Sequence, residues 1–292
     1  MIICYSYNGI LPDYTLYTIH QSRLFSKDAI YLITNDKDSP ILDKIRKYNI
    51  IIIDYESVKS VRFFDIINSI GGYPIVKELK YCGRENLFLF SLERFFLLYN
   101  LMDMYNMTDI LFLELDNTIY DNPDNWLDKF KTHELSYMCV NVNKASTGLM
   151  YVKSKGFLYK LLESIISTIT VEKCSEMKCT YIFAEQNKDM VEYLPCHYED
   201  SNYLKYGSVF DGASIGIYLF GYDPIHTGNK IVTNIHNIWG KRNYIKELFK
   251  WERDEKNRLI PFILDKNGWV RINNLHIHSK QLKKALSIQI ND

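Results

Sequence analysis

The stretch Thr108-Asp-Ile-Leu-Phe-Leu-Glu-Leu-Asp-Asn-Thr-Ile-Tyr-Asp121 decides the fold. Its apolar run, Ile110 to Leu113, has the composition of a strand buried on both faces. The run stops abruptly at Glu114-Leu-Asp-Asn117. Residues two apart on an extended chain point the same way, so both carboxylates leave the strand end on one side. In open α/β sheets that end is where ligands sit. Two acids there call for a compensating cation, most simply a divalent metal that takes oxygen ligands and keeps waters or substrate phosphates in its shell. An isolated acid-x-acid is more often a solvated strand end, so the rest of the chain has to decide.

Upstream, the pattern alternates. Ile2 to Tyr7 reads as a buried first strand, followed by the turn signals Asn8-Gly9 and Pro12 and by helix-spaced Leu16, Ile19 and Leu24. Ala29 to Ile33 is a second strand. Ser39-Pro40 places a cap before a proline at the first helical position, opening a short helix to about Tyr48. Ile50 to Ile53 is a third strand, ending in Asp54. Strand, helix, strand, helix, strand with short connections predicts a parallel sheet with right-handed crossovers. The loops after Tyr7, Ile33 and Ile53 then share one edge, a crevice of nucleotide size. A helix over Val58 to Ile70 is broken by Gly71-Gly-Tyr-Pro74, and a long helix over Asn86 to Met104 delivers the chain to the acidic strand. Arg94 lies within it, in Glu93-Arg-Phe-Phe96. It serves either as an internal ion-pair partner or as a ligand contact.

Downstream, Asn122-Pro-Asp-Asn-Trp126 reads as a loop and a helix start, and Leu135 to Val142 as a strand. Gly148 is expected just ahead of a strand over the residues to Val152, where backbone can approach a ligand closely. A helix follows from Ser154 to Thr168. Glu185 is expected at a helix N-terminus, where the dipole favours its charge. Val209 to Pro224 is apolar and dotted with glycines, and Asp211 is the one charge in its first ten positions. An acid in that context is either desolvated for use or a cap for the turn that follows. Phe249 to Trp269 alternates strand-like runs with turn signals, predicting hairpins. It leads to Ile272-Asn-Asn-Leu-His-Ile-His-Ser-Lys280, where His276 and His278 share a face if extended and Ser279 and Lys280 follow at once.

Composition narrows the classes. The 292 residues balance 35 basic against 35 acidic side chains, which argues against a general nucleic-acid binder. No run approaches the length of a membrane span, and the start has no basic region of a signal peptide; a cytoplasmic protein is expected. The six cysteines are scattered, which suits reduced, buried thiols. Cys174, Cys179, Cys196 and His197 have poor spacing for zinc. The 23 tyrosines, with frequent Ile, Lys and Asn, suit an AT-rich coding genome such as that of a large virus, whose protein would work in the host cytoplasm. There is no G-x-G-x-x-G and no Walker loop, so phosphates must meet metal or basic side chains instead. No linker or repeat divides the chain. One unit over 1–292 is expected, in two halves, 1–120 and 121–292.

Two families share features with the acidic motif. Leu115-Asp-Asn-Thr-Ile-Tyr-Asp121 resembles the first motif of haloacid dehalogenase-type phosphatases, but Glu114 stands where their attacking Asp must be. The extra methylene moves the oxygen by about an ångström, enough to cost a hundredfold. The fuller resemblance is to GT-A-fold glycosyltransferases. Phe112-Leu-Glu-Leu-Asp-Asn117 resembles their Asp-x-Asp metal motif in its Glu-x-Asp form. Phe210-Asp-Gly-Ala-Ser-Ile-Gly216, Tyr218-Leu219, Gly221-x-Asp-Pro224 and Asn274-Leu-His-Ile-His-Ser-Lys280 resemble C-terminal signatures of viral and bacterial members. Ile217 and Phe220 depart from that pattern, where Gln and Gly are usual.

The resemblance implies an α/β fold, a Rossmann-type mixed sheet flanked by helices with a C-terminal β-hairpin elaboration. It implies a nucleotide-sugar donor, most simply a UDP-sugar, a glycan or protein acceptor, and a hexosyl- or N-acetylhexosaminyl-transferase. Tyr5, Asn8, Asp36 and Arg94 would contact the nucleotide. Mn²⁺ or Mg²⁺ would bridge Asp116 and Glu114 to the diphosphate, with His278 completing the shell and His276 as the other candidate. Ser279 and Lys280 would face the leaving diphosphate. An inverting reaction needs a base, for which Asp211 comes first and Glu185 second; a retaining one needs neither. A GT-A-like binding protein without activity is the remaining alternative.

Overall fold

A computed structural model describes residues 1–71, 86–141, 143–172, 174–197, 199–222, 245–266 and 268–290. The expected breaker at Gly72 to Pro74, the strand end at Val142, Cys82 and the Asp223-Pro224 part of the C-terminal signature lie outside these residues.

The first strands follow the sequence pattern closely: β1 (Ile2–Tyr7), α1 (Tyr14–Phe25), β2 (Ile30–Thr34), α2 (Pro40–Arg46) and β3 (Ile50–Asp54). The expected helix over 58–70 is two, α3 (Tyr55–Val58) and α4 (Val61–Ser69), because Ser60 is extended and its side chain accepts the Phe63 amide, restarting the helix. Next come α5 (Leu87–Met104), β4 (Ile110–Leu113), β5 (Asn117–Ile119), α6 (Asp124–Phe130), β6 (Leu135–Asn141) and β7 (Lys144–Val152). The chain continues through α7 (Lys155–Glu172), α8 (Glu176–Gln186), β8 (Val191–Leu194), α9 (Tyr203–Tyr206) and α10 (Ser214–Phe220), and then β9 (Phe249–Arg253), β10 (Leu259–Asp265), β11 (Gly268–Arg271) and β12 (Asn274–His276).

A seven-stranded sheet runs β3-β2-β1-β4-β7-β6-β8. Pairings among β1, β2, β3 and β4 are parallel, as is β6 with β8. β7 is antiparallel to both neighbours, because it returns from β6 as a hairpin and inserts beside β4. All the other strands therefore end at one edge, and that edge carries the loops after β1, β2, β3 and β4. The mixed, helix-flanked sheet is the one expected.

Period-2 alternation divides the strand side chains between two cores. On one face Cys4, Phe112 and Met150 join α5, α7 and α8. On the other, Ile3, Tyr5, Leu111, Leu113 and Tyr151 meet α1, α6 and the C-terminal strands. The expected hairpins are an antiparallel sheet, β11-β10-β9, packed on this second face. A two-stranded ribbon joins β12 antiparallel to β5, with His276 opposite Asn117. That ribbon carries the tail of the chain to the acidic turn.

Two sequence expectations need correction. Gly148 lies inside β7 rather than ahead of it. Glu185 sits in the last turn of α8, a helix that starts earlier, at Glu176 behind the extended Ser175, so the dipole there disfavours its charge.

Candidate active site

β4 ends at Leu113, and the turn after it is fixed by two backbone bonds. The Glu114 amide donates to Gly148 O at 2.9 Å, and the Asn117 amide donates to Glu114 O at 2.9 Å. Across from this turn, the Ile277 amide donates to Asp116 O at 2.8 Å, extending the β5–β12 ribbon. His276 is thereby held over the acids. Its Nε2 lies 2.9 Å from Glu114 Oε2 and 3.3 Å from Asp116 Oδ1. One ligand atom from each of the three residues lies within 4.8 Å of the others.

Close packing makes room for this. A Cβ on Gly148 would sit 2.7 Å from His276 Cε1 and 2.9 Å from its Nδ1. A Cβ on Gly216 would sit 2.1 Å from His276 O. Both positions need glycine because the histidine strand runs directly against them.

Two cations already face the acids. Lys280 donates to Asp116 Oδ2, and Arg94 donates to Glu114 Oε1 and, at 2.7 Å, to Thr147 Oγ1. Lys280 reaches back from a left-handed backbone, φ 61, uncommon for a residue with a side chain. Burial would raise the Asp116 carboxyl, but Lys280, His276 and His278 outweigh it and hold it well below the usual carboxylate range. Burial pulls the Arg94 guanidinium down to about 10 against the pull of Glu176 and Asp116.

Asp211, 1% exposed, carries the next layer. Its Oδ1 accepts the amides of Ala213 and Ile215, each at 2.9 Å, and its Oδ2 those of Gly216 at 2.7 Å and His276 at 3.0 Å. It thus ties the start of α10 to the histidine strand. Burial raises its carboxyl and the amide bonds oppose the rise. Asn274 completes the tie, donating to Asp211 O and to Asn117 Oδ1 and accepting the Asp211 amide.

The other expected residues fall as follows. His278 lies in the turn beyond β12, half-buried, its ring centroid 4.5 Å from that of His276; it is His276 rather than His278 that joins the acids. Ser279 is buried beside Lys280 and its hydroxyl has no partner. Asn8 bonds Glu93 at 3.4 Å, and Tyr55 also donates to Glu93. Burial raises the Glu93 carboxyl. This cluster stands on the same strand-end edge, after β1 and β3. Asp36 accepts the Leu11 amide at 2.8 Å, pinning the loop after β1 to the loop after β2.

Tyr5 does not face the crevice. It is fully buried and its hydroxyl meets Ser22 of α1, so it is a core residue. Asp211 has no exposed oxygen to offer as a base, since backbone amides occupy both. Glu185 pairs with Lys188 at 2.9 Å and with Tyr193, at the opposite end of α8 from Glu176. Nine helical steps separate the two by about 14 Å, and it is Glu176 that feels the charge of Arg94.

Four residues of the centre had no assigned role in the sequence: Asn117, Thr147, Glu176 and Asn274. Asn117 and Asn274 stand inside the quoted motifs. The signal for Glu176 was Ser175, a good helix cap before it. Among the described residues the cysteines form no zinc cluster. Cys4, Cys139, Cys174, Cys179 and Cys196 form no disulfide among the described residues; Cys4, Cys174 and Cys179 are buried, Cys139 and Cys196 half-buried, and the Cys174 and Cys179 sulfurs lie 3.5 Å apart. No helix among the described residues is long and apolar enough to cross a membrane.

Neither protein-family models nor curated proteins match the chain. Among solved structures, it is similar to mouse xyloside xylosyltransferase 1 in its apo form, at 11% identity and a TM-score of 0.44, covering 67% of this chain and 86% of that one. It is similar to the galactosyltransferase LgtC in complex with donor and acceptor sugar analogues, at 10% identity and a TM-score of 0.44, covering 67% and 73%. A cytidylyltransferase from Leptospira borgpetersenii is also similar, at 14% identity and a TM-score of 0.37, covering 66% and 74%. At such scores the likenesses carry no function across.

Proposed function

We propose that the chain is a metal-dependent glycosyltransferase that moves a sugar from a nucleotide-sugar donor, a UDP-sugar first, to a hydroxyl of a glycan or protein. The observation that carries this reading is the convergence of Glu114, Asp116 and His276 at the end of β4, with Lys280 and Arg94 beside them. A plain binding module has no need of that combination, and Glu114 stands where a dehalogenase-type phosphatase needs its attacking Asp. An imidazole nitrogen with two carboxylate oxygens suits a divalent ion of mixed preference, Mn²⁺ ahead of Mg²⁺. His276 Nδ1 and Ser279 Oγ, both buried without partners, fit a centre that takes further polar groups. When bound, such an ion would neutralise charge on the diphosphate as the glycosidic bond breaks.

This chain's own residues do the rest. Glu114, Asp116 and His276 would hold the ion. Lys280, 28% exposed at its side chain, is placed to turn from Asp116 to an incoming diphosphate and stabilise its charge as it leaves. Asn8, with Glu93 and Tyr55 behind it, and Asp36 line the edge where base and ribose would lie. Asp211 positions His276 and α10. With both its oxygens committed and Glu185 remote, the reading favours a transfer that draws on neither as a base, as a retaining reaction does.

The test is a screen of nucleotide sugars for slow hydrolysis with Mn²⁺. The expected result is release of nucleoside diphosphate from one donor class, dependent on Mn²⁺ and lost in Asp116→Ala. Phosphate release from small phosphomonoesters instead would assign the chain to haloacid dehalogenase-type chemistry.

A further inference from the structure

Two buried atoms on interacting charged side chains have no hydrogen-bond partner: Nε of Arg94 and Oε2 of Glu176. Each side chain belongs to a residue only 7% exposed, and each lies within electrostatic reach of the other. The Glu176 carboxylate draws on the backbone amides of Glu176 and Met177, but a buried acid with one oxygen unpartnered is still costly. It begins α8, where the helix dipole gives it partial relief. Arg94, meanwhile, is committed to Glu114 and Thr147.

Those commitments conflict with metal binding. An ion held by Glu114, Asp116 and His276 would share the Glu114 carboxylate with the Arg94 guanidinium, which engages Oε1 while Oε2 faces His276 Nε2, and two cations on one carboxylate repel. A buried guanidinium released from one carboxylate must find another anion. Glu176 is buried, acidic and without a side-chain partner on Oε2, on the next helix over.

We propose that Arg94 exchanges carboxylates: it closes on Glu114 when the centre holds no cation and turns to Glu176 when Glu114 takes one. Glu176 is then a positioning residue that acts through Arg94 to free the metal site. This rests on the metal reading above and adds to it a resident competitor with a second berth. Lys280 on Asp116 is a companion competitor, but it is partly exposed and can turn to solvent or phosphate.

Exchange has a signature that a structural role lacks. In Glu176→Gln, Arg94 loses its second anion and stays on Glu114, so Mn²⁺ binds more weakly. In Arg94→Gln, the competitor is gone, so Mn²⁺ binds more tightly although a polar residue of the site has been removed. Plain charge attraction would give the same two signs but would make them additive. Exchange makes Glu176→Gln silent once Arg94 is absent.

The experiment is a Mn²⁺ titration of the full chain without nucleotide, following the electron paramagnetic resonance signal of the free ion, with circular dichroism to confirm folding. Glu176→Gln should weaken binding by about tenfold, the scale of one charge-assisted hydrogen bond. Arg94→Gln should tighten it, and the double variant should match Arg94→Gln. Additive effects in the double variant, or unchanged binding in Glu176→Gln, overturn the exchange while leaving the metal reading standing. A wild-type chain that takes up no Mn²⁺ overturns both. If Glu176→Gln does not fold, Glu176→Asp replaces it: exchange weakens Mn²⁺ binding because the shorter acid falls short of Arg94 while the charge is kept, and unchanged binding sinks the proposal.

Discussion

His276 Nε2 lies 2.9 Å from Glu114 Oε2, although the imidazole comes from the tail of the chain and the carboxylate from its middle. The ribbon of β5 and β12 makes the meeting obligatory, because it sets His276 opposite Asn117. Ile277 and Asp116 share the next backbone bond. The glycines at 148 and 216 clear the space, and Asp211 fixes the backbone from behind.

Gly148→Ala should disable the centre without touching a charged residue. Its methyl would press on the His276 ring and, at 3.3 Å, on Asn117 Nδ2, costing about 1–3 kcal/mol as overpacking does. Gly156→Ala is the control, since nothing lies within 4 Å of its added carbon. Thermal melts and Mn²⁺ titrations of both variants should separate them, with only Gly148→Ala losing metal affinity. Equal affinity in the two would mean that His276 is not held by this contact.

Asp211→Ala should be severely destabilising. Its removal leaves four buried amide groups of the α10 start and the histidine strand without their acceptor. A single orphaned donor costs about 1–3 kcal/mol, so a loss of at least about 3 kcal/mol in urea unfolding is expected. A variant with wild-type stability and no transfer would return Asp211 to the role of base.

His276→Ala and His278→Ala should differ in kind. The first removes a ligand atom, and Mn²⁺ affinity should fall by at least about tenfold. The second removes a ring packed against His276, and affinity should change by less than about threefold. Calorimetric titration checks both, and the reverse order would reassign the ligand.

Asp116 should make the metal-free protein acid-sensitive. Its carboxyl is held well below the ordinary value, burial being outweighed by Lys280, His276 and His278. A folded value lower than the unfolded one means the stabilisation is present above the unfolded pKa and disappears as pH falls through the folded one. Stability measured with EDTA from pH 7 into strong acid should therefore fall more steeply in wild type than in Asp116→Asn once pH drops below the ordinary carboxylate value of about 4, and the gap between the curves should close only as pH falls through the depressed folded value. Parallel curves would show that the ion pair contributes nothing.

Most of the sheet was readable because its strands are buried on both faces and so appear as uninterrupted apolar runs, Ile110 to Leu113 above all. The acid pair was readable because it interrupts such a run. The choice between His276 and His278 was not. Alternation puts both on one face only if the strand continues, and β12 stops at His276. Gly148 beside Thr147 has the local look of a turn, and its place within β7 is required by a ring from the other end of the chain. Asp211 was visible as a desolvated acid, but its backbone partners belong to tertiary structure. Glu176 stays hidden because the helix N-terminus is expected at Glu185, nine residues beyond the true start of α8, although Ser175 marks the cap.

The most direct measurement is anomalous diffraction at the manganese edge from crystals grown with Mn²⁺ and UDP. The expected result is one strong peak within about 2–2.5 Å of oxygens from Glu114 or Asp116 and of a His276 nitrogen, with the diphosphate on its open side toward Lys280. A peak elsewhere, or nucleotide bound at this edge with no ion between it and Asp116, would contradict the metal centre.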